Sequence, residues 1–130
     1  MLEEGETYTI AKTARESLVR MLSGDNLLVQ EAHARKCAAL TKELAGSQPS
    51  PLERLLVERI VLCWLHLYYA EALYGQNVQN LSLRQAEYYE QRLSKAQARY
   101  LAAIRTLAQV RRLGVPAVQV NIGQQQVIAG

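Results

Sequence analysis

Apolar side chains along most of this chain recur at steps of three and four, the spacing that gathers them on one face of an α-helix. Ile10, Ala14, Leu18 and Leu22, with Ala11 and Met21 beside them, predict an amphipathic helix over residues 9–23 that Gly24 can end. A second row, Val29, His33, Cys37, Leu40 and Leu44, predicts a helix over 26–45, capped by Asp25 and stopped by Gly46. A tight corner should join the two. Residues 1–8 read as a loose acidic leader.

The third helix, over 51–74, has the clearest start. Ser50 suits the N-cap, Pro51 the first helical position, and Glu53 completes an S-x-x-E capping box, with Gly75 placed to end the helix. On a helical wheel Glu53, Arg54, Glu58, Arg59, His66 and Glu71 scatter among Leu55, Leu56, Ile60, Val61, Leu62, Trp64, Leu65 and Leu67. A helix apolar nearly all round is a central, buried one. The uninterrupted apolar run, Ile60 to Leu65, is far short of the ~20 residues that cross a bilayer.

Ser82-x-x-Gln85 is a second capping box and opens a helix over 83–113. Ala86, Tyr89, Leu93, Ala96, Tyr100, Ala103, Leu107 and Val110 form an unbroken heptad seam, and Leu101, Ile104 and Ala108 widen it enough to reach a second neighbour. The short link predicts an antiparallel hairpin with the third helix inside it. Beyond Gly114 and Pro116 the pattern changes: Val118, Val120 and Ile122 alternate with Gln119 and Asn121, the period of a strand, with Val127 and Ile128 on a possible return. The fold expected is therefore all-α, a four-helix domain over 1–116 with a short C-terminal β tail over 117–130. Because a lone strand is marginal in water, the tail would be completed by other copies.

Composition adds bounds. The 130 residues, 49% hydrophobic and 21% charged, fit one ordinary globular domain. Two cysteines make no disulfide framework, and the acidic start lacks the pattern of a signal peptide, so the cytoplasm is the expected compartment. Charge is uneven beneath a net +3: residues 82–113 carry seven basic against two acidic side chains, a net of +5, and the remainder sums to −2. Arg92, Lys95 and Arg99, with Arg84, Arg105, Arg111 and Arg112 along the same helix, can follow nucleic-acid phosphates. A second candidate face joins Lys12, Arg15 and Arg20 to Arg35 and Lys36 across the first corner, in a layout compatible with a helix-turn-helix. The competing reading of both is a solvated surface.

Every histidine and cysteine falls in one pattern, His33-x3-Cys37 and Cys63-x2-His66, each pair able to share a helical face. Together they could build a closed tetrahedral zinc site; packed core cysteines are the simpler account. A cysteine–histidine nucleophile pair using Cys63 lacks a visible set of oxyanion donors, and no phosphate loop or nucleophile elbow is present, so an enzyme is not expected.

The runs PSPLERLLVERIVLCWL and VQVNIGQQQVIAG are similar to segments of uncharacterised bacterial helical proteins, which implies no activity. The order of parts resembles the small terminase subunit of tailed phages, in layout rather than motif. That resemblance implies DNA-binding N-terminal helices, a ring-forming hairpin over 50–113 and a β crown over 118–128. The function expected is a non-enzymatic homo-oligomeric assembly protein, in ring form by that layout, with DNA as candidate ligand, no membrane and no small-molecule substrate. Its interface would use Trp64, Tyr68, Tyr89, Tyr100, Val118, Val120 and Ile122. The alternatives are a scaffold or regulator that binds only protein, and a zinc-stabilised helical module.

Overall fold

Both serine boxes form as the spacing predicts. The Ser50 hydroxyl accepts from the Glu53 amide at 3.2 Å while the Glu53 carboxylate accepts from the Ser50 amide at 3.3 Å, opening helix α3 (Pro51–Asn77). Ser82 and Gln85 exchange the same pair of bonds at 3.2 and 3.0 Å and open α4 (Leu83–Ala129). Satisfying amides that a helix start leaves without partners contributes about 1 kcal/mol per cap.

The computed structural model describes the backbone of residues 4–129 and the side chains of residue 10 and residues 12–114. Before the hairpin come α1 (Glu4–Ser23) and α2 (Leu27–Ala45), and a 3-10 turn, Val78–Asn80, joins α3 to α4. The fold is all-α, with no strand among the described residues. No helix among them is long and apolar enough to cross a membrane.

Three boundaries correct the sequence reading. Helix α1 starts at Glu4 instead of following a loose leader. At the first corner Gly24 takes φ 59° and donates to Arg20 O, as expected, but Asn26, not Asp25, is the cap. Its side chain accepts from the amides of Leu28 and Val29 at 3.1 and 3.2 Å, because the helix begins one residue later than the spacing suggested. Gly46, at φ 74°, ends α2 as predicted. Gly75 does not end α3: it lies within the helix, which runs to Asn77, whose side-chain amide donates to Leu73 O at 2.8 Å.

Helix α3 is central. Helices α1 and α2 cover one side, where Leu18, Val19, Cys37, Val61 and Leu65 are buried together with Leu22, Leu40, Leu62 and Trp64 against them. On the other side Val57 and Ile60 meet Leu107, flanked by Tyr100, Ala103 and Leu44. Each such side chain removed from water contributes about 1.5–3 kcal/mol. The hairpin is antiparallel: Tyr74 reaches Glu90 near the connection, and Glu53 reaches Arg111 at the far end. Between residues 82 and 114 the eight seam positions are buried or half-buried and every other position is exposed. Leu101, Ile104 and Ala108, expected to touch a second neighbour, are among the exposed ones.

The C-terminal strand is a further correction. The backbone of α4 continues as helix through Ala129, so its 47 residues span about 70 Å. Val118 and Ile122 stand four apart as well as two steps of an alternation, so the same pattern fits either element. With no second strand among the described residues to pair with, the helix is the conformation that satisfies the backbone locally. It does so despite Pro116, which has no amide to give. The side chains of Val118, Val120 and Ile122 lie outside the described residues.

Candidate functional site

The heptad that forms the hairpin also sorts its charges. Arg84, Arg105 and Arg112 fall at the position opposite the seam and are exposed on the outer face of α4. Arg111 sits on one flank and is already engaged: its Nε donates to Glu53 at 2.8 Å and its Nη2 to the Leu44 carbonyl, tying the end of α2 and the start of α3 to α4. The Arg111 hydrogen bond is also the largest influence holding the Glu53 carboxyl below its usual range. Arg111 is thus a structural tie rather than a free phosphate contact. Arg92, Lys95 and Arg99 lie on the opposite flank, facing the groove between α3 and α4.

That groove is a cleft of about 200 Å³ lined by Arg59, Leu62, Cys63, His66, Tyr69 and Ala70 from α3 and by Arg92, Lys95, Ala96 and Arg99 from α4. No carboxylate lines it. None of its four cations has an ion-pair partner among the described residues, while Arg92 rests over the Tyr88 ring at 5.9 Å. His66 lines the cleft and is exposed. Its pKa is lowered, first because the surrounding helices strip part of its water and then because Arg99, Arg59 and Arg92 disfavour another positive charge.

Sequence reasoning missed Arg59 as a site residue and singled out His66 only as a candidate zinc ligand, not as a neighbour of these cations. Arg59 and His66 are seven apart on α3, as Arg92 and Arg99 are on α4, and the antiparallel register brings the two pairs level. That spacing was visible in the sequence. The rotation of α3 that turns both residues toward α4 was not, because its charges scatter around the wheel.

The other predicted constellations are taken apart by the fold. His33 faces the first corner, with Nδ1 2.9 Å from the Ser23 hydroxyl and its ring edge-on to Tyr68. Cys37 is fully buried among Leu18, Val19, Val61 and Leu65, and burial pushes its thiol pKa up. Cys63 and His66 face α4 instead. The four do not converge, and no metal-holding group of three ligands exists among the described residues, which corrects the zinc reading. Of the N-terminal basic face, Arg15 turns inward to Glu58 at 3.5 Å and Thr41 at 3.4 Å, and Arg35 pairs with Glu31 at 2.7 Å. Lys12 and Arg20 remain beside the α1–α2 groove, and Lys36 is exposed on α2.

Among the residues expected at an interface, Trp64 packs on the α1–α2 core and Tyr100 on the α3–α4 core, and Tyr89 is half-buried in the seam. Tyr68 is 44% exposed and stacks on Trp64 with ring centroids 5.9 Å apart. No family model matches the chain, and neither the curated proteins nor the solved structures contain a match.

Proposed function

We propose that the chain is a non-enzymatic, self-associating helical assembly protein that holds nucleic acid by its phosphates at the α3–α4 cleft. One observation carries the reading: Arg59, Arg92, Lys95 and Arg99 converge without a carboxylate among them. Folding cations into a shared cleft raises their mutual repulsion, and a polyanion relieves it by replacing small counterions. The exposed Arg84, Arg105 and Arg112 along the outer face of α4 extend the field without adding to the cleft. The tail that a small-terminase layout would make a β crown is helical in backbone, so the reading rests on the cleft rather than on that likeness.

Self-association is proposed along the flank of α4 opposite the cations, where Leu101 is 46% and Ile104 37% exposed. This apolar flank also favours the second reading, a scaffold that binds only protein, in which the cations solubilise the surface. Retention of duplex DNA at graded salt separates the two. Neutralisation of phosphate by these cations predicts retention that weakens as salt rises, with a shallower salt dependence in Arg92→Gln/Arg99→Gln; no retention at low salt sinks the nucleic-acid reading. Native mass spectrometry that finds only monomer sinks the assembly reading.

A further inference from the structure

The cleft differs from a basic stripe in one respect that matters for what enters it. A stripe on one helix presents its charges outward to a passing backbone. Here Arg59 and His66 come from α3 and Arg92, Lys95 and Arg99 from α4, so the charges face one another across a gap. At about 200 Å³ the gap is smaller than the ~300–1,000 Å³ of pockets that enclose a whole organic ligand. It has room for a charged group and little else. Guanidinium side chains from two sides suit the tetrahedral oxygens of a phosphate, which accept several charge-assisted hydrogen bonds at once.

We infer that the α3–α4 cleft is a discrete phosphate-binding site in which Arg59, Arg92 and Arg99 clamp one phosphate group and the His66 ring supplies a further hydrogen-bond donor. The inference rests on the reading of the cleft as the phosphate contact of the assembly and adds that one phosphate enters between the helices, instead of lying along α4. The titratable and charged groups facing His66 are Arg59, Cys63 and Tyr69 from α3 and Arg92, Lys95 and Arg99 from α4; no carboxylate is among them. Without an anion, all the fixed charge around the ring opposes its protonation. With a phosphate seated, negative charge stands nearby and favours the imidazolium, so binding and protonation strengthen each other.

The two histidines make this measurable in one sample. His33 lies at the α1–α2 corner and does not line the cleft, so it serves as the internal control. Titrating the imidazole resonances of the full chain with and without inorganic phosphate, at ionic strength held constant with chloride, should move the His66 midpoint upward by roughly one pH unit. His33 should stay in place. Arg99→Gln, an exposed position whose loss leaves the core untouched, should abolish most of that movement while circular dichroism shows the same helix content. A His66 midpoint that ignores phosphate, or moves no more than that of His33, overturns the site.

A short DNA duplex in the same titration distinguishes this inference from the broader reading. Duplex that is retained in a salt-dependent way without moving His66 overturns the clamped phosphate and leaves nucleic-acid binding standing. A His66 response to inorganic phosphate without retention of duplex does the reverse, and assigns the cleft to a smaller phosphorylated ligand.

Discussion

Two faces of α3 treat positive charge in opposite ways. Toward α1, Glu58 meets Arg15 with both side chains about five-sixths buried, and at the helix start Glu53 meets Arg111. There each guanidinium has a carboxylate and an additional oxygen, Thr41 for Arg15 and the Leu44 carbonyl for Arg111. Toward the middle of α4, Arg59 and His66 meet only Arg92, Lys95 and Arg99. Paired charges close the ends of a bundle and specify how its helices seat. Unpaired ones facing each other give up stability for the capacity to hold something negative, so the contrast separates the part of α3 that builds the fold from the part available for binding.

The largest test of that division lies in the packed side. Leu65 is fully buried between α1, α2 and α3, whereas Leu101 is 46% exposed on the outer flank of α4. Leu65→Ala should cost about 2–5 kcal/mol in chemical denaturation, and Leu101→Ala well under ~1 kcal/mol in the monomer. A loss at Leu101 comparable to that at Leu65, growing with protein concentration, would instead mean that its flank is buried in an assembly.

Next in size is the Arg15–Glu58 pair. Glu58→Gln keeps the shape and removes the charge, leaving a largely buried guanidinium with Thr41 as its remaining oxygen partner. The expected cost is about 1–3 kcal/mol. Equal stability of the variant and the parent would show that water reaches Arg15, and the contrast between the two faces would weaken accordingly.

The packed side was also the part best read from the sequence. Along α4 up to residue 114, periodicity alone picked out all eight positions that the fold removes from solvent, because a helix facing a single partner has one seam and its pattern has one solution. Both capping boxes were equally readable, since their bonds close within four residues. Around α3 the same method failed to divide the faces. That helix has neighbours on both sides, so apolar residues surround it, and Arg59 becomes a cleft residue only through its rotation against α4. The zinc pattern failed for the same reason: Cys37 faces α1 and α3 while Cys63 faces α4, and spacing along a chain does not reveal such a divergence. The tail failed differently, because Val118 and Ile122 satisfy two periods at once and only the lack of a pairing strand among the described residues decides between them.

A smaller effect, of opposite sign, is expected in the cleft. Arg99→Gln removes one of four mutually repelling cations from an exposed position. It should leave stability unchanged or raise it by a few tenths of a kcal/mol at low salt, with the difference vanishing in concentrated chloride. Thermal melts of parent and variant across a salt series would show this, and destabilisation by Arg99→Gln would reveal a carboxylate partner for that side chain in solution.

The smallest effect is also the most diagnostic, because its sign reverses with ligand. In the free protein the His66 pKa is lowered, chiefly by lost hydration and then by Arg99, Arg59 and Arg92. Below the unfolded-state value of about 6.5 the unfolded chain therefore binds more protons than the native one, and stability falls as the pH drops through that region. His66→Gln should flatten this dependence over roughly pH 7.5 to 5.5, around that ~6.5 midpoint. With phosphate present the native pKa moves up, the native state becomes the better proton binder, and the same acidification should stabilise the parent but not His66→Gln. Melting temperatures over that window, with and without phosphate, read both signs from one pair of proteins. Identical pH profiles for parent and variant under both conditions would remove His66 from the site and leave the guanidinium groups alone to hold the anion.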